Sequence, residues 1–324
     1  MKTRSLRNWI AGMVAGAALL AAPAAQAAFP ERPITLVVGF APGGSTDILA
    51  RILAENLMRA LGQSVVVENK PGATGTVAAR LVAQAKPDGH TLLFAAPGHT
   101  IAPALFPLQY DAKTAFSPIS KVAALPNILV VHPSVPARSV DELIAYARAN
   151  PGKLNFASAG ASSVNRMASE LFMSMAGVQM NHVPYKGSGQ ALIDLIAGRV
   201  QVAFDQASSV LQPIAQGNLI PLAVTTPQRF SQLPDTPSLD EAGLKGYQAS
   251  SWNGILAPAG TPAEIIETLA RTIRSVVHTN QVKQAFAKAG ATAIGDTPQE
   301  FTAFIDADLA KWRHVVKTNG IRID

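Results

Sequence analysis

The sequence predicts an α/β protein of two lobes, each a mainly parallel sheet flanked by helices, with a ligand cleft between them. Three observations lead there. Short β-branched runs alternate with stretches of helical periodicity, the pattern of a doubly wound sheet. Two strand-to-helix turns, at 40–47 and 158–163, are built from glycine and hydroxyl residues and fall in separate parts of the chain. Removing a 27-residue leader from the 324 residues leaves about 297, more than one core ordinarily holds.

In chain order, Lys2, Arg4 and Arg7 form a basic start, residues 10–22 an apolar stretch, and Ala25-Gln26-Ala27 a small-x-small cleavage pattern. This predicts a secretory signal peptide over residues 1–27, cut near Ala27. The apolar stretch is too short for an ordinary spanning helix. Ile34-Thr35-Leu36-Val37-Val38 then reads as a strand and Phe40-Ala41-Pro42-Gly43-Gly44-Ser45-Thr46-Asp47 as a turn. Ile48, Leu49, Ile52, Leu53, Leu57 and Leu61 follow with helical spacing. Paired glycines let the backbone turn sharply beside a ligand. Ser45 or Thr46 can cap the helix, whose first N–H groups lack helical partners and attract anions. The plain alternative is an ordinary strand-to-helix connection.

Residues 65–69 read as a strand, 70–76 as a loop, 77–85 as a helix and 91–95 as a strand ending at Pro97-Gly98-His99. Ligands of such sheets sit beyond the carboxyl ends of the strands. Residues 102–120, with Pro103, Pro107 and Pro118, are expected to be irregular. Residues 127–131 read as a strand that crosses into the second lobe, and Ser139 opens a helix to 149 with a capping-box pattern. The strand 154–157 leads to the turn Ser158-Ala159-Gly160-Ala161-Ser162-Ser163. Met167, Leu171, Phe172 and Met175 then have helical spacing, with Arg166 one turn in. One such turn is weak evidence; two suggest a cleft with an anion-binding helix terminus on each wall.

A helix over 190–197 and a strand over 200–204 lead to Asp205, placed either to meet a ligand amine or hydroxyl or to cap a helix beginning near Ser208. A strand over 219–224 follows. Residues 247–256, with Trp252, are expected to return the chain to the first lobe. Helices from Thr261-Pro262, around 281–289 and over 298–318 read as packing elements.

Composition narrows the chemistry. Net charge is +6, from 27 basic and 21 acidic residues; without the three basic residues of the leader it is 24 against 21, or +3. No basic tract with interleaved aromatics occurs, so nucleic acid is not expected as a partner. With no cysteine there is no disulfide, thiol catalysis or zinc–thiolate site, and no lipidated cysteine to tether the exported chain. The six histidines show no metal-binding spacing, so neither metal nor cofactor is expected.

Several stretches resemble a known family. The 40–47 turn, Asn69-Lys70-Pro71-Gly72, Pro87-Asp88-Gly89-His90-Thr91-Leu92-Leu93, Val183-Pro184-Tyr185-Lys186-Gly187, Pro237-Ser238-Leu239-Asp240-Glu241-Ala242-Gly243 and Trp252-Asn253-Gly254 fall in family order over nearly the whole mature chain. Together they are similar to the periplasmic solute-binding proteins of tripartite tricarboxylate transporters, the Bug proteins. The resemblance implies a periplasmic-binding-protein fold with lobe one at 28–127 plus 251–324 and lobe two at 128–250. It implies a monomer in the periplasm that closes on a small carboxylate, organic acid or amino acid, and delivers it to a membrane permease. The ligand contacts it implies are Gly43, Gly44, Ser45, Thr46, Asp47, Ser158, Gly160, Ser162 and Ser163. The family's second turn often reads Ser-x-Gly-x-Gly-Ser-x-x-His; here Ser162 replaces the second glycine and Arg166 the histidine. Arg166 is placed either to grip a carboxylate or to face solvent. Phe40 and Phe204 are candidate apolar walls, and Asp205 a candidate polar contact. The rival readings are a ligand-sensing subunit for a membrane kinase and a periplasmic hydrolase. The second has against it the lack of Gly-x-Ser-x-Gly and of a histidine near the serines in sequence.

Overall fold

The computed structural model describes residues 29–160, 163–185 and 187–321. The leader, and with it the signal-peptide expectation, lies outside the described residues, as do Ser162 and Lys186. Among the described residues no helix is long and apolar enough to cross a membrane.

One six-stranded sheet contains β1 (Ile34–Val38), β2 (Val65–Asn69), β3 (Thr91–Ala95), β4 (Phe116–Leu125), β10 (Ser251–Pro258) and β11 (Thr292–Ala293), in the order β11-β4-β10-β3-β1-β2. A five-stranded sheet contains β5 (Asn127–Val131), β6 (Asn155–Ser158), β7 (Asn181–Pro184), β8 (Val202–Gln206) and β9 (Ile220–Val224), in the order β7-β6-β8-β5-β9. The two-lobed α/β expectation holds, but both sheets are mixed. Parallel pairing joins β2-β1-β3 and β7-β6-β8. β10, β4, β5 and β9 pair antiparallel. Strand–helix alternation reports only the parallel units, and it misses the strands that carry the chain between sheets.

Those crossings are short. β4 passes into β5 through Pro126 alone, and the second return runs from Ala249, buried in the second lobe's core, to Ser251 at the start of β10. Of the stretch 102–120 expected to be irregular, 106–115 is so, while its ends belong to the helix Gly98–Leu105 and to the long strand β4. The ten helices among the described residues are α1 (Ser45–Leu61), α2 (Thr76–Ala83), α3 (Gly98–Leu105), α4 (Val140–Ala149), α5 (Val164–Ala176), α6 (Ser188–Ile196), α7 (Ala207–Ala215), α8 (Ala263–Val277), α9 (Asn280–Lys288) and α10 (Pro298–Thr318). Burial of residues 98–102 holds α3 together despite Pro103. Pro118 is tolerated in β4 because its partner Leu256 lies at a register shift, where a ladder bond is already missing.

α10 starts at a capping box between Thr297 and Glu300, with proline at its first position. Its Phe301, Ile305 and Leu309 pack with Leu93 and Trp252 in the first lobe's core. One turn on, Trp312 and Val315 pack with Leu171 and Phe172 of the second. The helix therefore spans both cores.

Candidate functional site

Between the sheets lies a cleft of about 470 Å³. Leu125, Ser251, Trp252 and Asn253 of the crossover strands contribute to its lining. Five helices begin at it. Ser45 opens α1 and Gly98 opens α3 on the first lobe; Ser163 caps α5, Ser188 opens α6 and Gln206 precedes α7 on the second. Each terminus has N–H groups without helical partners and the positive end of a helix dipole. Among the described residues that line the cleft, none is Asp, Glu, Lys, Arg or His. The positive potential its described lining offers comes from backbone dipoles and neutral donors.

The first wall is held by two close backbone approaches. A Cβ on Gly98 would stand 2.0 Å from the Thr74 carbonyl oxygen, and one on Gly39 2.5 Å from the Gly75 Cα. These contacts hold the 73–75 loop, where Ala73 and Thr74 have φ of 44° and 59°. The expected cap by Ser45 or Thr46 is not what forms: Gly44 takes the N-cap position. Buried Asp47 instead accepts from the Gly43 N–H (2.9 Å), Asn69 Nδ2 (2.8 Å) and Arg51 Nε (3.0 Å). The Arg51 hydrogen bond, with those two, holds its carboxyl down to about 2. Ser45 Oγ is left free to donate across the cleft to Gln206 Oε1 at 3.2 Å, and Gln206 Nε2 lies 3.4 Å from Ser251 Oγ.

On the second wall, Ser163 Oγ accepts from the Arg166 N–H (3.3 Å) and donates to the Gly160 carbonyl (2.8 Å). Ser158 Oγ lies 2.7 Å from His182 Nε2 and accepts from the Gly160 N–H at 3.3 Å. Burial, with the Arg166 charge, pushes His182 down to about 4, so it is neutral at pH 7. This is the serine–histidine pair that a hydrolase needs, and it is invisible in the sequence because the partners are 24 residues apart. Ser158 is 1% exposed and lies outside the cleft lining, so the pair shapes the Gly160 turn rather than presenting a nucleophile. Asn165 Nδ2 donates to Asp205 Oδ1 (3.0 Å) and the Phe204 carbonyl (2.7 Å). Asp205 also accepts from the Gln206 N–H at 2.8 Å, and burial pushes its pKa up to about 6.

Residues 49–321 match the family described as tripartite tricarboxylate transporter family receptor. The chain belongs to this family. It is 37% identical over 317 residues to protein BugT of Bordetella pertussis, with 97% of each chain covered. The structure of R. palustris Rpa4515 with adipate is similar at 38% identity and a TM-score of 0.78, covering 91% of this chain and 99% of that one. MatC (Rpa3494) from Rhodopseudomonas palustris with bound malate is similar at 33% identity and a TM-score of 0.75, covering 89% and 100%. The family read from the motifs is thus the family found, one of receptors and not of enzymes; the structure of periplasmic binding protein BugD is also similar, at 33% identity and a TM-score of 0.75, covering 91% of this chain and 99% of that one.

Of the residues expected at the site, the receptor brings Phe40, Ser45, Thr46, Gly160 and Ser163 to the cleft. Asp47, Ser158 and Asp205 are buried behind its walls; Ser158 and Asp205 hold the lining residues Gly160, Asn165 and Gln206, whereas Asp47 holds Gly43 beside the lining. Asp205 does not cap α7 either: its contacts are the Gln206 N–H and the side chains of Asn165 and Ser188. Gly43 and Gly44 are exposed and outside the lining. Arg166 pairs with Glu170 at 3.3 Å, also outside the lining. Phe204 is no cleft wall. It is fully buried, its ring 5.6 Å from Phe172 and 6.2 Å from Tyr247, because alternation along β8 turns it into the core. Ser162 lies outside the described residues. Sequence alone gave no role to Thr74, Asn165, Ser188 or Gln206. The signals for Gly98 and Trp252-Asn253 were present, in the strand-end position of one and the motif of the other.

Proposed function

We propose that this receptor captures a small organic acid in the cleft by closure of the two lobes and hands it to the permease of a tripartite tricarboxylate transporter. The observation that carries the reading is the cleft itself: five helix N-termini converge from both lobes on a lining in which no described residue has a charged side chain. Such a site attracts a carboxylate but offers no acid to an α-ammonium group, which favours organic acids over amino acids. Adipate in Rpa4515 and malate in MatC support a dicarboxylate of that size. In this reading residues 1–27 direct export and are cut near Ala27, the receptor works as a periplasmic monomer, and the lobes divide at 126/127 and 250/251, the first one residue earlier than expected because Asn127 pairs with Gln206 in the second sheet. Phe40, Ser45, Thr46, Gly160 and Ser163 contact the ligand, and Ser162 belongs to the same turn.

A thermal-shift screen against mono-, di- and tricarboxylates tests this, with amino acids and the matching amides as controls. An acid at ~1,000 times its dissociation constant adds roughly 4 kcal/mol to stability. The expected result is stabilisation by a narrow set of acids, none by their amides, and no product by mass spectrometry. Folded protein stripped of ligand that no acid stabilises would overturn the reading.

A further inference from the structure

A second cavity, of about 440 Å³, shares only Ser251 and Trp252 with the cleft, so the returning crossover strand forms a wall common to both. Its floor is aromatic. The Trp252 ring meets Phe304 edge-on at 5.5 Å, and Phe304 lines this cavity and not the cleft; buried Phe230 faces it from the loop after β9. The Trp252 Nε1–H is buried and has no hydrogen-bond partner among the described residues.

Among the described residues, three cations line the cavity against one carboxylate. Lys121 Nζ sits 4.1 Å over the Phe304 ring and pairs with Asp296 at 3.0 Å. Arg229 pairs with Glu241 at 3.0 Å, and Lys311 with Asp308 at 2.5 Å. Of these acids only Asp308 lines the cavity, and its Oδ2 already accepts from Thr100 and Trp312. Each cation thus has a carboxylate partner, but Asp296 and Glu241 lie outside the lining, so basic side chains outnumber acidic ones along the described lining, over an aromatic floor.

We infer that this cavity is a second ligand site, for a small apolar carboxylate seated on Trp252 and Phe304 with its charge among Lys121, Arg229 and Lys311, and that its occupancy is coupled to that of the cleft. An aryl acid fits the combination of ring surface and cations. The coupling follows from position. α10 and the loop after β9 both contribute lining, so an occupant touches elements of both lobes and its affinity depends on their angle. The site stands whatever the cleft binds; only the coupling rests on the function proposed above.

The probe is 4-fluorobenzoate, followed by 19F line broadening, with fluorobenzene as the uncharged control. Thr226→Trp fills the cavity, Lys311→Met removes a cation, and Ser163→Trp obstructs the cleft. Broadening that Thr226→Trp abolishes, Lys311→Met weakens at least fivefold and Ser163→Trp leaves intact supports the site. Broadening lost in Ser163→Trp but kept in Thr226→Trp places the probe in the cleft and overturns it. Equal broadening of fluorobenzene, or none of either compound on folded protein, overturns it too. Saturating 4-fluorobenzoate should also change the affinity for the acid chosen by the thermal screen at least threefold in the native chain and not in Thr226→Trp. Unchanged affinity overturns the coupling.

Discussion

Single residues at the cleft act mostly by holding others. Ser163 caps α5 and ties down Gly160, so Ser163→Ala should reduce stability by about 1 kcal/mol and weaken the ligand roughly tenfold. Urea unfolding and titration calorimetry read the two effects separately; a stability loss with unchanged affinity would make the residue a cap alone. Two of the buried aspartates, Asp47 and Asp205, have opposite pH signatures. Asp47 is held near 2 in the fold against 3.8 normally, so its contribution is present above pH 3.8 and lost as pH falls toward 2. Asp205 is raised to about 6, so its folded form keeps a proton that the unfolded chain releases. Its contribution is most favourable below pH 3.8 and is lost as pH rises through 6. Asp205→Asn should therefore raise the melting temperature at pH 8 and change little at pH 4. A loss of equal size at both pH values would show that its hydrogen bonds outweigh its desolvation.

At the scale of elements, the first wall depends on loops that touch at glycines. Gly98→Ala places a methyl against the Thr74 carbonyl and must displace the 73–75 loop or α3. Affinity for the acid should fall at least tenfold, with circular dichroism confirming that the chain still folds. Gly62→Ala is the control. There φ is 67° with open space around the site, so it should cost about 1 kcal/mol of stability and leave affinity unchanged. Equal losses of affinity in both variants would mean that strain, not loop contact, governs the wall.

Over the whole molecule, α10 is a strut that joins the two cores, alongside the crossover strands and α3, whose Ile101 packs in the second core. Trp312, 1% exposed in the second core, donates its Nε1–H to Asp308 on the preceding turn. Trp312→Ala should cost about 3–5 kcal/mol, measured by chemical unfolding. Closure makes a separate prediction. The Ser45–Gln206 contact already reaches across the cleft, and ligand should draw the walls further together. The radius of gyration by small-angle scattering should fall when the acid binds; an unchanged radius at saturation would show capture without closure.

What the sequence by itself determined is what local physics encodes. β1, β2 and β3, the capped helices, the crossing at 127 and the family motifs were legible because alternation, caps and turn residues act over a few positions. So were Phe40, Ser45, Thr46, Gly160 and Ser163, which sit at turns that local chemistry marks. Only the tertiary structure decided which side of a wall a residue faces. Phe204 and Asp205 are neighbours in one strand, yet the first fills the core and the second grips Asn165. The pairing of Ser158 with His182, the antiparallel half of each sheet, the span of α10 over two cores and the cavity beside Trp252 each join distant segments. Sequence periodicity records a residue's own burial but not the partner that buries it, and for these features the partner sets the role.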